Sequence, residues 1–304
     1  MTSRARLGSV WFALDDARLP LTVVIPTIGR STVLRDCLEA VASCRPAAAE
    51  ILVVDQSHDP AVAALVEEFA GACARLVPSH GRGVARGRND GLRAAGYDLV
   101  LGVDDDCTVS PDWVATGYRL AGIREGALIT GRVLPAGDPR AVPSTIEDPT
   151  PRDLTHERWG AFLFSNNMVL PRDAALELGG FDERFGPDEV AEDNEFCYRW
   201  LQAGKRLFYE PELAVTHHDW RAPEELERLY VRYARGEGYF YSKHLRRGDL
   251  RMLLYLARTL AAGARSLLSA AFKRREAWTD SRRGILRGLP GGFVDGWRVF
   301  GEDG

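Results

Sequence analysis

The sequence is poor in cysteine and contains no long apolar run. It has 304 residues but only five cysteines, none in a C-x-x-C pair, so neither a zinc site of paired cysteines nor a disulfide framework is expected. No uncharged apolar stretch reaches about 18 residues, which argues against a membrane-spanning helix. The first 20 residues are charged and lack an apolar core, unlike a signal peptide. We therefore expect a cytoplasmic protein.

An overall excess of basic residues is also absent. The chain carries 39 lysines and arginines against 43 acidic residues, a formal net charge of -4. A general nucleic-acid binder would show a basic excess, so no nucleic-acid partner is expected. With 45% hydrophobic and 27% charged residues, the composition is that of a globular protein and excludes a disordered chain.

The charge is unevenly distributed along the chain. Residues 221–300 contain 17 basic and 8 acidic residues, so an acidic body precedes a basic C-terminal region. Within this region Arg251, Arg258 and Arg265 are spaced by seven, which places them on one face of a helix and leucines on the rest. We predict a basic, mainly helical region over 222–304. It could contact the inner face of an anionic membrane peripherally, form a homodimer, or pack on the body.

The first hundred residues alternate between strands and helices. Apolar, β-branched runs at 21–26, 50–55 and 98–104 predict strands, and helical stretches lie between them, the first with Ser31 as its N-cap. This alternation is typical of an α/β fold with a mostly parallel sheet. Ligands of such sheets bind at the carboxyl ends of the strands.

Aspartates follow two of these predicted strands. Asp104, Asp105 and Asp106 are adjacent, and three neighbouring carboxylates repel one another unless a cation neutralises them. Mg²⁺ and Mn²⁺ prefer such oxygen ligands and often hold phosphates as well. Asp55 could accept hydrogen bonds from a ribose or a base. The three adjacent aspartates could also be simply an acidic turn, and Asp55 could be a turn or helix-capping residue.

Two further groups lie near the end of the body. Glu192 and Asp193 open a predicted helix, where the helix dipole alone favours one acid, but a carboxylate here could also act as a general base. Strands are predicted at 207–209 and 213–216, and His217 and His218 follow the second of them. Because side chains alternate along a strand, at most one of the two imidazoles should face a site. A surface pair is the alternative.

Seven short segments occur in an informative order: VVIPTIGR, EILVVDQS, ARGRNDG, VDDDC, GGFDERFG, AEDNEFCYRW and VTHH. Their order and spacing resemble those of bacterial family 2 glycosyltransferases, over about residues 20–220. The resemblance implies a GT-A fold, a Rossmann-like nucleotide-sugar-binding domain, at 21–221 after an extension at 1–20. The nucleotide-binding half would be 21–107 and the acceptor half 108–221.

The family resemblance also implies an inverting, metal-dependent transfer from a nucleotide-diphosphate sugar, with Mn²⁺ or Mg²⁺ as cofactor. Asp193 matches the family's catalytic base. The implied nucleotide-sugar-binding residues are Pro26, Thr27, Asp55, Arg88, Asp104 and Asp105. The implied metal ligands are Asp106, Asp104 and His217, with His218 as the alternate. The acceptor-side candidates are Glu192, Trp220 and Asn167.

The Q-x-x-R-W motif of processive polymerases is absent from the sequence, so the resemblance favours a non-processive enzyme. We expect a UDP or dTDP donor and a saccharide or lipid-linked acceptor, in surface-glycan or cell-envelope synthesis.

The sequence leaves two alternatives to glycosyl transfer. A sugar-phosphate nucleotidyltransferase normally carries a glycine-rich, basic loop near its N-terminus, and PTIGRST is a poor version of it. A catalytically silent carbohydrate-binding or scaffold protein is disfavoured because Asp104, Asp106, Asp193 and His217 are all retained.

Overall fold

Between Leu19 and His218 the chain forms the strands of a mixed β-sheet. The computed structural model describes residues 18–137, 144–157, 165–186, 190–218, 225–273 and 279–301. Its strands are β1 (Leu19–Thr27), β2 (Ala48–Asp55), β3 (Ala74–Pro78), β4 (Leu99–Val103), β5 (Cys107–Val109), β6 (Leu128–Ala136), β7 (Arg152–Asp153), β8 (Asn167–Pro171) and β9 (Leu207–His218). The helices are α1 (Ser31–Ala42), α2 (Pro60–Glu68), α3 (Val84–Ala94), α4 (Trp113–Ile123), α5 (Arg172–Glu177), α6 (Glu192–Gln202), α7 (Leu226–Arg246), α8 (Arg251–Lys273) and α9 (Thr279–Val299).

The sheet has two halves of different topology. The order is β3-β2-β1-β4-β8-β6-β9-β5, with β7 paired to β9. Strands β3, β2, β1 and β4 are parallel, as the alternation of strands and helices predicted. Strand β8 runs antiparallel to β4 and β6, and β5 runs antiparallel to β9. The predicted α/β class with a mostly parallel central sheet is confirmed.

Both faces of the sheet are covered, which explains why its strands are continuously apolar. Val23 and Ile25 face one core, which helices α1, α2 and α4 complete. Val24 faces the other core, which α3 and α6 complete through Leu92 and Phe196. Because helices occupy both faces, polar groups converge only at the strand ends.

Three details differ from the sequence-based expectations. Ser31 is the first residue of α1 rather than its cap; the N-cap is Arg30, which makes no side-chain capping hydrogen bond. Helix α4 and strand β6 were not predicted. The two strands predicted near residues 207–216 are one strand, β9, because a register shift beside Gly131 absorbs the extra residues as it pairs with β6.

The C-terminal helices pack through glycines. Helices α7 and α9 run parallel, and glycines spaced four apart on α9 face α7, at positions 284, 288, 292 and 296. A Cβ on Gly292 would lie 2.1 Å from the carbonyl oxygen of Arg235, and one on Gly288 would lie 2.3 Å from that of Val231. The two backbones therefore approach closely only because these side chains are absent. This glycine repeat was not among the features predicted from the sequence.

Helix α8 runs back along α7 and α9 after a turn at Gly248, where φ is +85°. Arg258 and Arg265 are exposed as predicted, whereas Arg251 is half-buried and forms an ion pair with Asp249 at 2.6 Å. The prediction for the leucines was only partly correct, since some of them are also exposed. None of the helices within the described ranges is long and apolar enough to cross a bilayer. The division at residue 221 stays a prediction.

Candidate active site

The carboxyl ends of β1, β2 and β4 bring the predicted polar residues to one edge. Thr27 and Asp55 are register partners at the last positions of β1 and β2. Asp55 is buried, and its Oδ1 accepts hydrogen bonds from the backbone nitrogen of Ser57 at 2.8 Å and from its hydroxyl at 2.6 Å. Asp104 follows β4, which is the neighbour of β1. Parallel pairing thus gathers residues that are far apart in the chain.

The three adjacent aspartates point to different partners. Asp105 accepts a hydrogen bond from the Thr27 hydroxyl at 2.6 Å and forms an ion pair with Arg30. Arg30 also lies 3.2 Å from Asp106. Burial raises the pKa of Asp105 to about 6, against the charge of Arg30. A cationic side chain therefore already offsets part of the charge of this turn.

The imidazole of His217 lies beside the carboxylate of Asp106, whereas the imidazole of His218 does not. The pairing of β5 with β9 puts Cys107 opposite His217, and the Nε2 atom of His217 lies 3.3 Å from Oδ1 of Asp106. His218 points the other way, with its Nε2 atom 2.8 Å from the hydroxyl of Thr108. The alternation of side chains along β9 thus selects the first imidazole for this edge.

The donor atoms at this point fit a divalent cation. A carboxylate oxygen of Asp106, a nitrogen of His217 and the sulfur of Cys107 all lie within 4.8 Å of one another. The Nδ1 atom of His217 is buried and has no hydrogen-bond partner among the described residues. Imidazole and carboxylate ligands suit Mn²⁺ and related ions. Asp104, the other candidate ligand, is instead engaged by Arg88 at 3.0 Å.

Arg88 links the aspartate turn to the start of α6. It lies on α3 with 4% of its side chain exposed, and its Nη1 atom donates to Oε1 of Glu192 at 2.5 Å. Burial, together with the nearby Asp193, raises the pKa of Glu192 to about 7, although Arg88 acts in the opposite direction. The second carboxylate oxygen of Glu192 is buried without a partner in the described part of the chain.

Asp193 lies in the first turn of α6, next to this link. Its Oδ2 atom accepts a hydrogen bond from the Ser165 hydroxyl at 3.0 Å, and its Oδ1 atom accepts one from the backbone nitrogen of Asn194 at 2.8 Å. Burial raises the pKa of this carboxyl, while Arg88 lowers it. A carboxylate with a raised pKa is a better proton acceptor than an exposed aspartate.

Comparison with known proteins relates the chain to one family. Residues 22–169 match the model of Glycosyl transferase family 2. This segment, just under half of the chain, is similar to that family. The match includes Asp55, Arg88 and the aspartate turn, whereas Asp193 and His217 lie beyond it. The expected resemblance to family 2 glycosyltransferases is confirmed.

Two curated relatives of this chain are enzymes by name. A pre-mycofactocin glycosyltransferase of Mycobacterium tuberculosis is 29% identical over 216 residues, which are 66% of this chain and 43% of the relative. A glucosyl-dolichyl phosphate glucuronosyltransferase of Haloferax volcanii is 28% identical over 164 residues, 50% of this chain and 52% of the relative. The chain spans about half the length of the curated relatives it matches.

Solved structures share the GT-A fold. A mannosyltransferase from Pyrobaculum calidifontis in complex with GDP-Man and Mn²⁺ matches with a TM-score of 0.66 and 19% identity, covering 93% of this chain and 90% of that one. GalNAc-T7 with UDP, GalNAc and Mn²⁺ matches with a TM-score of 0.53 and 18% identity, covering 76% and 51%.

The predicted acceptor-side residues have different environments. Asn167 is fully buried, with its amide nitrogen 2.8 Å from the carbonyl oxygens of both Arg132 and Leu213, and its amide oxygen accepts from Trp113 at 3.0 Å. Its hydrogen bonds are used within the fold, and a contact with an acceptor stays a prediction. Glu192 is likewise buried and paired with Arg88. Trp220 lies outside the described residues. Pro26 lies on β1 against Gly87, where a Cβ would approach it to 3.1 Å.

Several residues of the site were not predicted. Arg30 and Ser165 contact the predicted carboxylates, but isolated arginines and serines carry no signal in one sequence. A buried ionic cluster also lies behind α6: the Nζ atom of Lys243, on α7, is 2.5 Å from both Glu195 and Asp182. Glu195 additionally accepts from Arg199 at 2.9 Å. The C-terminal region is thereby attached to the helix that carries Asp193.

Proposed function

We propose that this chain transfers a sugar from a nucleotide-diphosphate sugar to a hydroxyl of a saccharide or lipid-linked acceptor, with inversion, during synthesis of a surface glycan or cell-envelope saccharide. The observation that carries the proposal is the position of Arg88, which joins Asp104 of the donor half to Glu192 beside Asp193. The proposed donor contact, Asp104, and the proposed base, Asp193, would thus lie on either side of the Arg88 guanidinium. The name of the Haloferax relative, a transferase for glucosyl-dolichyl phosphate, supports a lipid-linked acceptor.

Asp106 and His217 are the residues that would hold a divalent ion. When bound, Mn²⁺ or Mg²⁺ would offset the negative charge of the departing diphosphate as a Lewis acid. The donor atoms support this role, as does Mn²⁺ in the two similar solved structures. Cys107 lies in the same group, but its thiol is buried, and burial together with the neighbouring carboxylates raises its pKa well above the usual range. It would therefore stay protonated and is a poor ligand for a hard cation.

Asp193 would act as the general base. It accepts the proton of the acceptor hydroxyl while that oxygen attacks the anomeric carbon, and the bond to the diphosphate breaks with its electron pair on the leaving oxygen. One displacement of this kind inverts the anomeric configuration. The hydrogen bonds from Ser165 and Asn194 hold the carboxylate in one orientation before the acceptor arrives.

The nucleotide of the donor can be identified directly. The two similar solved structures hold GDP-Man and UDP, so donors with both kinds of nucleotide are compared. UDP and dTDP donors stay a prediction, as does addition of one sugar per encounter. Purified protein is incubated with UDP-, dTDP- and GDP-sugars and Mn²⁺, and the released nucleotide is identified. Release of a nucleoside diphosphate that EDTA abolishes supports the proposal. No turnover with any donor, together with saccharide binding, identifies a silent binder instead.

The role of Asp193 as the general base is tested with Asp193→Asn, which keeps the shape of the side chain. We expect kcat to fall by roughly 10²–10⁴-fold. The matched control is Asp36→Asn, because Asp36 is exposed on α1. Product NMR then reports the anomeric configuration, and a product with the donor's configuration would contradict the inverting mechanism.

A further inference from the structure

Exposed apolar side chains are concentrated in the C-terminal helices. The described residues include ten large hydrophobic side chains that are exposed, and six of them lie between Leu250 and Trp297. These six, which we call the α8–α9 face, are Leu250, Leu253, Leu254, Leu286, Val294 and Trp297. Single exposed apolar residues are ordinary, but six in one region indicate an interaction surface.

The first three residues of this face form a stripe at the start of α8. Leu250 is 70% exposed, and Leu253 and Leu254 are each 50% exposed. The opposite side of the same helix is buried through Met252 and Tyr255. Helix α8 is thus apolar on its buried side and also over part of its exposed side, which packing among the described residues does not explain.

Helix α9 has a second stripe. Leu286, Val294 and Trp297 recur at helical spacing and are between 39% and 48% exposed. They lie away from the glycines that contact α7. Phe293 lies between the two sides of α9 and stacks on Trp297 with the ring centroids 6.0 Å apart.

The two stripes lie on helices that pack against each other. Phe293 of α9 packs in the same cluster as Leu256 and Leu260 of α8. Leu253 precedes Leu256 by one turn of α8, and Trp297 follows Phe293 by one turn of α9. The α8–α9 face therefore comprises exposed apolar residues on two helices that share one cluster.

Arginines border this face on both helices. Arg265 is exposed on α8, and Arg287 and Arg298 are 63% and 75% exposed on α9. The whole region from 221 to 300 has 17 basic and 8 acidic residues. Two copies that paired through this face would bring positive borders together, which is unfavourable, whereas an anionic surface would be attracted by them.

We propose that the α8–α9 face binds an anionic lipid surface. The leucines and Trp297 would enter the boundary between headgroups and acyl chains, and the arginines would contact lipid phosphates. Tryptophan is enriched at this depth because its ring is amphipathic. The proposal goes beyond sugar transfer and does not depend on it, although it would bring the enzyme to lipid-linked acceptors.

The test is co-sedimentation of the full chain, without sugar donor, with phosphatidylglycerol–phosphatidylcholine vesicles and with phosphatidylcholine vesicles alone. We expect binding to the anionic vesicles only, with release at high salt. The double variant Leu253→Glu, Leu254→Glu should bind at least roughly tenfold more weakly, because charged groups are excluded from the acyl boundary. Ile123→Glu is the matched control, since Ile123 is 61% exposed on α4, outside this face.

A second variant tests the charged border separately. Arg265→Gln with Arg298→Gln should weaken binding by roughly fivefold for each arginine removed, without changing the apolar residues. Circular dichroism melting confirms that each variant folds. Absence of binding to anionic vesicles would overturn the proposal, as would equal binding to neutral ones. A dimer that Leu253→Glu dissociates, seen by sedimentation velocity without vesicle binding, would assign the face to a second copy instead.

Discussion

The guanidinium of Arg88 donates a hydrogen bond to the carboxylate of Glu192 at 2.5 Å, between helix α3 and helix α6. Both side chains are almost completely buried, with exposures of 4% and 3%. A second donation, to Asp104, connects the same guanidinium to the end of β4. One buried cation therefore connects Asp104, after β4, with the start of α6, where the proposed base Asp193 lies.

Replacing this cation should be costly for stability. Arg88→Met leaves Glu192 buried without its counter-charge, so we expect a loss of about 3–5 kcal/mol in the free energy of unfolding, measured by urea denaturation. Arg93→Met on the same helix is the control, because Arg93 forms only solvent-exposed pairs. We expect a change below about 1 kcal/mol there. Equal effects of the two substitutions would show that burial of the pair is unimportant.

The two adjacent histidines provide a matched test of the metal site. His217→Ala should lower the affinity for Mn²⁺ by roughly tenfold or more, because His217 lies 3.3 Å from Asp106. His218→Ala should leave it nearly unchanged, because His218 bonds Thr108. Calorimetric titration of both variants with MnCl₂ measures the difference. If the second substitution has the larger effect, the assignment of the ligand is wrong.

The ionic cluster behind α6 should make stability depend on pH. Burial alone would raise the pKa of Glu195, but the hydrogen bond from His244 and the charges of Lys243 and Arg199 outweigh it and lower the pKa to about 2. A carboxyl with a lowered pKa stabilises the fold above its usual value of 4.5, and this contribution is lost as the pH falls from 4.5 towards 2. Glu195→Gln removes it.

The stability lost in Glu195→Gln, measured by urea denaturation, should therefore be largest near neutral pH and shrink below about pH 4.5. Glu212→Gln serves as the control, because Glu212 is half exposed and paired only with Arg119. A loss in Glu195→Gln that stays constant between neutral and acidic pH would indicate that the side chain contributes through packing alone.

The glycine contacts of α9 predict different effects at adjacent positions. Gly292→Ala would force a Cβ to 2.1 Å from the carbonyl oxygen of Arg235, so we expect about 1–3 kcal/mol of destabilisation. At Gly291 the nearest atom is the flexible end of Arg235, at 3.3 Å. Gly291→Ala should be nearly neutral or stabilising, because alanine favours the helix by roughly 0.5–1 kcal/mol. Thermal denaturation compares the two, and similar melting temperatures would contradict the close contact.

Much of the first half of the molecule could be predicted because its signals are local. Short apolar runs ended by aspartate specify buried parallel strands, and parallel strands bring their carboxyl ends to one edge. Asp55 and Asp104 were therefore placed together correctly. Strand β6 was not predicted. Strand β9 was predicted as two strands, because the register shift beside Gly131 has no local marker.

The sequence by itself determined which residue types are present and that they follow apolar strands, since period and composition are properties of neighbouring positions. The tertiary structure alone decided between His217 and His218, brought Arg88 between two carboxylates, and used the amide of Asn167 to hold strands together. These outcomes depend on contacts between residues separated by tens of positions. The orientation of a side chain in such a contact is set by the packing of whole elements, which no short segment encodes.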